Sequence, residues 1–193
     1  MLESLKKQLF LAATIRNNPV EDAIRFGKID LLGKQGEIVK FIKETIEPRL
    51  INLSVIPSVD QSTILYAQLE GMSHKVPVSH MGEGMSRLIS IILTISTTTN
   101  GYVFIDEIEN GIHYSALPKI WLGIINAAKQ YNCQIFATTH SYECLESVVS
   151  TLDENLHEEF RYIRLERRNE DLFSTTYSFE EVSTSISNKW EIR

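Results

Sequence analysis

A chain of 193 residues is one ordinary domain, or one and a fraction. Its 43% hydrophobic and 23% charged side chains, with five prolines and nine glycines, make a globular composition and exclude a disordered or fibrous chain. Twenty-five acidic against nineteen basic side chains leave a formal charge of −6, so the charge gives no support to a nucleic-acid partner.

Residues 1–48 read as helical, with Leu2, Leu5 and Leu9 and then Ile38, Phe41 and Ile42 at helical spacing. Lys6, Lys7 and the short run Leu9 to Ala13, closed by Arg16, predict an amphipathic N-terminal helix rather than a signal peptide. Asn17-Asn18-Pro19 interrupts the helical pattern and Pro48 ends it. Ile51 to Val55 alternates as a half-buried strand, Pro57 to Gln61 supplies a turn, and Thr63 to Leu69 returns as a second strand. Gly71 to Lys75 makes another turn before Val76-Pro77-Val78.

From residue 80 the pattern becomes alternating α/β. Gly82-Glu83-Gly84 precedes a helix from Ser86 to about Ser96 that is apolar nearly all round, as a buried helix is. Tyr102 to Ile105 is a continuous apolar run, predicting a strand covered on both faces. A helix follows over Ser115 to Gln130. A second buried strand is expected at Gln134 to Thr138, then a helix capped by Ser141. Strands at Arg161 to Glu166 and Leu172 to Tyr177 complete the pattern, which predicts a doubly wound, mainly parallel α/β layer over residues 79–193. Residues 1–78 form a helical and hairpin segment before it, with no boundary clean enough for a separate domain.

The chemistry concentrates at three points. Tyr102-Val103-Phe104-Ile105 runs straight into Asp106 and Glu107, at the strand end where open α/β sheets bind ligands. Adjacent carboxylates there need a cation or a basic group to compensate them. Asp106 therefore suits a magnesium ion, and Glu107 suits the base that orients or deprotonates an attacking water. A cap for the turn at Asn110-Gly111 is the structural alternative. Thr138-Thr139-His140-Ser141 ends the next strand, and consecutive strands commonly neighbour one another, which would bring His140 to the same edge. A histidine there suits hydrogen-bonding or sensing a terminal phosphate. Gly82-Glu83-Gly84-Met85-Ser86-Arg87 opens the buried helix, where exposed N–H groups and the helix dipole favour an anion; plain turn chemistry is the alternative.

In this order the three elements resemble the C-terminal half of an ABC-type ATPase domain, similar to the SMC-like and OLD-like ATPases, or AAA-domain proteins, of prokaryotic anti-phage defence systems. The resemblance makes the chain a P-loop NTPase-like α/β fold. Gly82, Glu83, Gly84 and Ser86 become nucleotide-binding residues of the signature motif, and Phe104-Ile105-Asp106-Glu107 becomes the Walker B. His140 becomes the switch histidine, and Asn110, Gly111 and His113 belong to the D-loop. It implies ATP and Mg²⁺, with Glu107 and His140 catalytic and Asp106 at the metal. Its partner would be a second ATPase domain, through a homodimer or a P-loop-bearing chain, and an effector protein could join them.

One part of that family's site is missing. No Gly-x-x-x-x-Gly-Lys-Ser/Thr run occurs, for Gly27-Lys28 and Gly33-Lys34 are followed by Ile29 and Gln35. The isolated chain is therefore expected to hydrolyse ATP at no more than background. The alternatives are a non-catalytic interaction module of the same fold and a self-contained metal hydrolase using Asp106, Glu107 and His140. Other features read plainly. Arg161, Arg164, Arg167 and Arg168 alternate with glutamates as a self-compensated surface. His74, His80 and His157 have no zinc-ligand spacing, and Trp121 and Trp190 form no base-stacking ladder. Cys133 and Cys144 fit a reducing compartment, and Leu88 to Ile95 is too short to span a bilayer, so a cytoplasmic protein is expected.

Overall fold

The computed structural model describes residues 7–12, 18–57, 62–190 and 192. The chain divides into two compact units, one ending at Thr139 and the other beginning at His140.

In the first unit, β1 (Gln8–Leu11) precedes helices α1 (Pro19–Leu31) and α2 (Gln35–Thr45). The predicted helix at the N-terminus is not found where it can be checked: Leu9 lies in a strand, while Leu2 and Leu5 lie outside the described residues. The ladder comes from far away in sequence. Tyr102 N–H donates to the Lys7 carbonyl and Asp106 N–H to the Leu11 carbonyl, both at 2.9 Å. Four residues cannot outbid such pairing with an isolated helical turn.

Asn18 caps α1 by accepting from the N–H groups of Val20 and Glu21. The predicted hairpin is present as β2 (Leu50–Pro57) and β3 (Thr63–Leu69), joined antiparallel and extended by β4 (Val76–Pro77). Period-two burial of Leu65, Ala67 and Leu69 turns one face of the hairpin inward, where α1 and α2 supply Phe26, Ile29, Ile38 and Ile42.

Asp22 on α1 is almost fully buried and accepts a 2.8 Å bond from Ser90. Burial pushes its carboxyl up to about 6, against the pull of Ser90 and Arg25. A raised acid favours the folded state while protonated, and that stability is lost as pH climbs from about 4 to about 6. We expect Asp22→Asn to remove about 2–3 kcal/mol of this fall. Urea unfolding of both proteins at pH 4 and pH 7 checks it; equal pH slopes would contradict it.

Helix α3 (Glu83–Ser96) starts three residues before its predicted position and is buried from Ser86 to Ile95. Strand β5 (Tyr102–Ile105), helix α4 (Leu117–Tyr131) and β6 (Gln134–Ala137) follow, and β1, β5 and β6 form one parallel sheet in the order β1-β5-β6. The expectation of two strands covered on both faces needs correction. Val103 and Ile105 are buried, but Tyr102 and Phe104 on the other face are only half-buried. β6 is an edge strand with Phe136 41% exposed.

The second unit holds α5 (Tyr142–Thr151), β7 (Tyr162–Arg168), β8 (Asp171–Tyr177) and α6 (Phe179–Ser187). Ser141 caps α5, as expected, and Ser178 with Glu181 forms a capping box on α6. The last two strands do not extend the parallel sheet. They pair antiparallel with each other around the short Asn169-Glu170 turn, where no intervening helix allows a parallel crossover. Arg164 and Arg168 both pair with Glu166, in keeping with a self-compensated surface. Among the described residues, no helix is long and apolar enough to cross a membrane.

Candidate functional site

The first unit brings Asp106, Glu107 and Thr138 together at the carboxyl end of adjacent parallel strands, with Ile105 opposite Ala137. One hydroxyl joins them. Thr138 Oγ1 donates to Asp106 Oδ1 at 2.7 Å and accepts from the Glu107 N–H at 2.8 Å. The chain leaves β5 through Glu107 in the left-handed region (φ +43°), a conformation that costs a non-glycine residue about 1–2 kcal/mol. Hydrogen bonds on both sides hold it there, since the Glu107 carbonyl accepts from Asn110 N–H and from Arg87. Such local strain clusters at functional sites.

Arg87, in the first turns of α3, holds the backbone that carries these carboxylates. It is 7% exposed, and its Nη2 donates to the carbonyls of Asp106 (2.9 Å) and Glu107 (3.1 Å). Burial pulls the guanidinium below its ordinary value, while Glu109, Asp106, Glu107 and Glu83 oppose that pull. The sequence reading assigned no role to Arg87 or Thr138. The signal for Arg87 was the one basic side chain in a helix that is otherwise mostly apolar.

The N-terminus of α3 meets the D-loop residues. A Cβ on Gly84 would stand 3.8 Å from the Gly111 carbonyl oxygen and from Ile112, and the Glu83 side chain lies beside Gly111. Gly111 has φ +74°, and a Cβ there would stand 2.6 Å from Glu83 Cδ. The exposed Glu83 side chain can swing aside, so we expect Gly111→Ala to cost about 1–2 kcal/mol, chiefly from the backbone. Urea unfolding reads this out, and an unchanged midpoint would contradict it. Gly82 and Glu83 are exposed, whereas Ser86 is buried. Asn110 and His113 are exposed, and His113 Nδ1 accepts from Ser115 N–H to open the next turn. His140 opens the second unit, exposed and directly ahead of the Ser141 cap.

Magnesium commonly takes only one or two carboxylates from a protein and completes its shell with water and phosphate oxygens. Half-buried Asp106, oriented by Thr138, fits that limited share. Among the described residues no group of three His, Cys, Asp or Glu side chains could hold a metal without such help.

The chain is 34% identical over 92 residues to an ATP/GTP phosphatase of Helicobacter pylori, a match covering 46% of this chain and 25% of that protein. The chain thus spans about a quarter of that relative's length. It is 35% identical over 102 residues to an uncharacterised protein of Methanocaldococcus jannaschii, covering 53% of this chain and 89% of the other. Among solved structures, one from work on ATP-driven dimerisation and DNA-stimulated activation of SMC ATPases superposes with a TM-score of 0.57. That superposition has 10% identity and covers 88% of this chain and 99% of the other. An SMC head bound to the C-terminal winged-helix domain of ScpA gives 0.60 at 11% identity, covering 89% and 56%. These structures show the fold, that of SMC-type ATPase heads within the P-loop NTPases. Residues 10–146 match the family described as "AAA domain, putative AbiEii toxin, Type IV TA system", and the chain belongs to that family.

Proposed function

We propose that this chain supplies the Walker B, signature and switch-histidine share of an ATP site that a P-loop-bearing lobe or chain completes. The observation that carries the reading is the Asp106-Thr138-Glu107 cluster at the carboxyl edge of a parallel sheet, with Arg87 bonded to the backbone carbonyls of both acidic residues. Asp106 would hold Mg²⁺, which would supply charge neutralisation at the phosphate oxygens. Glu107 accepts a proton from, or orients, the water that attacks the γ-phosphate. Its clamped backbone fixes where the carboxylate begins. His140 hydrogen-bonds the terminal phosphate. Gly82, Glu83, Gly84 and Ser86, together with Asn110, Gly111 and His113, face the nucleotide of a second ATPase domain, so that ATP drives association. The contact between the α3 N-terminus and Gly111 supports treating these as one surface.

The test is Mg²⁺-ATP binding by the chain together with a P-loop-bearing partner. We expect Asp106→Ala to weaken that binding about tenfold or more, through loss of the cation's anionic partner. The chain alone should turn over ATP at background. Unchanged affinity in Asp106→Ala would sink the metal assignment, and Mg²⁺-dependent turnover by the chain alone would sink the composite site. The absence of a Gly-x-x-x-x-Gly-Lys-Ser/Thr run favours one other reading, a non-catalytic interaction module of the same fold. Binding to the partner without any gain in nucleotide affinity would select it.

A further inference from the structure

Thr138, directly after β6, bonds to four consecutive residues where the chain leaves β5. Its N–H donates to the Ile105 carbonyl at 2.9 Å, and its carbonyl accepts from the Ile108 N–H at 3.1 Å. Between these backbone bonds the hydroxyl donates to Asp106 Oδ1 at 2.7 Å and accepts from the Glu107 N–H at 2.8 Å. Regular strand pairing stops at Ile105 opposite Ala137. A side chain thus carries the ladder across Asp106 and Glu107, where the turn out of β5 has broken the regular pattern.

The chemistry of a hydroxyl makes its two bonds interdependent. A threonine has one proton to give and two lone pairs to receive with. Giving the proton to Asp106 fixes the rotation of the O–H and turns a lone pair toward the Glu107 N–H. An ionised carboxylate at one end polarises the hydroxyl and strengthens the bond it accepts at the other. Branching at Cβ restricts χ1, so the oxygen stays where both bonds need it. The Glu107 N–H is one hold on a backbone at φ +43°, and the bonds from Arg87 and Asn110 to its carbonyl are the other.

Packing does not call for this hydroxyl. Thr138 is exposed and adds no buried side chain to the core. Both of its side-chain bonds end on the two acidic residues of the site.

We propose that Thr138 is a positioning residue: through one hydroxyl it sets the Asp106 carboxylate and the start of the Glu107 side chain as a pair. The proposal rests on the composite-site reading for what the two carboxylates then do. A base must meet its water closely, and a misplacement of about 1 Å costs about a hundredfold in rate. Asp106 keeps its charge without the hydroxyl, so its share in holding Mg²⁺ changes less. Loss of the hydroxyl therefore acts on turnover more than on binding.

Thr138→Val isolates the hydroxyl, because valine keeps the branched shape and both backbone bonds. In the chain alone, amide exchange followed by NMR should quicken several-fold at Glu107 and stay unchanged at Ile108 and Thr138. With a P-loop-bearing partner present, Thr138→Val should lower turnover about tenfold or more. Its affinity for Mg²⁺-ATP should change less than about threefold. Thr138→Ser returns the hydroxyl and should restore the Glu107 protection and most of the turnover. Urea midpoints of both variants should lie close to that of the wild type. A shifted midpoint in Thr138→Val with full turnover per folded molecule would make the hydroxyl merely structural and overturn the proposal. Unchanged Glu107 exchange in Thr138→Val, or no recovery in Thr138→Ser, would overturn it as well. The amide measurement uses neither nucleotide nor partner. Failure of the composite-site reading would show instead as a wild-type chain that gains no Mg²⁺-ATP turnover from its partner, with the Thr138-dependent protection of Glu107 intact.

Discussion

Glu107→Gln should lower ATP turnover by the assembled site about a hundredfold or more while leaving Mg²⁺-ATP bound. The amide preserves the size of the side chain and most of its hydrogen-bonding shape, but removes its basicity. What holds Glu107 in place is backbone: its N–H on Thr138 and its carbonyl on Arg87 and Asn110. The substitution alters neither contact. The φ of +43° costs glutamine about what it costs glutamate, so the fold and the Asp106 position should persist. Phosphate release measures turnover, and retention of labelled ATP through gel filtration measures the trapped assembly. Wild-type turnover in the variant would mean that the carboxylate only serves the turn out of β5. Loss of nucleotide binding would instead assign Glu107 to holding the ligand.

Arg87→Met should destabilise the first unit by about 3–5 kcal/mol, because two backbone carbonyls lose hydrogen bonds to a charged donor, each worth about 1.5–3 kcal/mol. Methionine fills much of the volume of the arginine stem, so the loss isolates the guanidinium. Two carbonyls lose a charge-assisted donor, and Asp106, Glu107, Glu109 and Glu83 lose their nearby cation. Against a total stability of about 5–15 kcal/mol, this is a large fraction. Should Arg87→Met fail to fold, Arg87→Lys supplies the measurement. It keeps the charge, loses the planar donor set, and should retain part of the stability. Urea unfolding measures both variants. An Arg87→Met protein as stable as the wild type would mean that the two carbonyls and four carboxylates are satisfied without it.

The sequence by itself determined the elements whose signals are local. Alternation in Ile51 to Val55, a turn, and the returning run Thr63 to Leu69 marked a hairpin. Apolar residues all round from Leu88 to Ile95 marked a buried helix. An apolar run ending in Asp106-Glu107 marked the carboxyl edge of a sheet, and the order of the three motifs pointed to the family that residues 10–146 match. Tertiary structure alone decided the rest. Gln8–Leu11 is a strand because β5 lies beside it, and nothing within its own four residues records that neighbour. Phe136 reads like any core residue, yet among the described residues β6 is the last strand of its sheet and Phe136 is 41% exposed. The final two strands pair with each other because a two-residue turn brings them together antiparallel. Thr138 and Arg87 matter through partners 31 and 19 residues away. Periodicity and propensity report what the chain does over one or two turns. Strand partners, sheet edges and the compensation of buried charge are set by contacts between distant segments, and they exist only once the chain has folded.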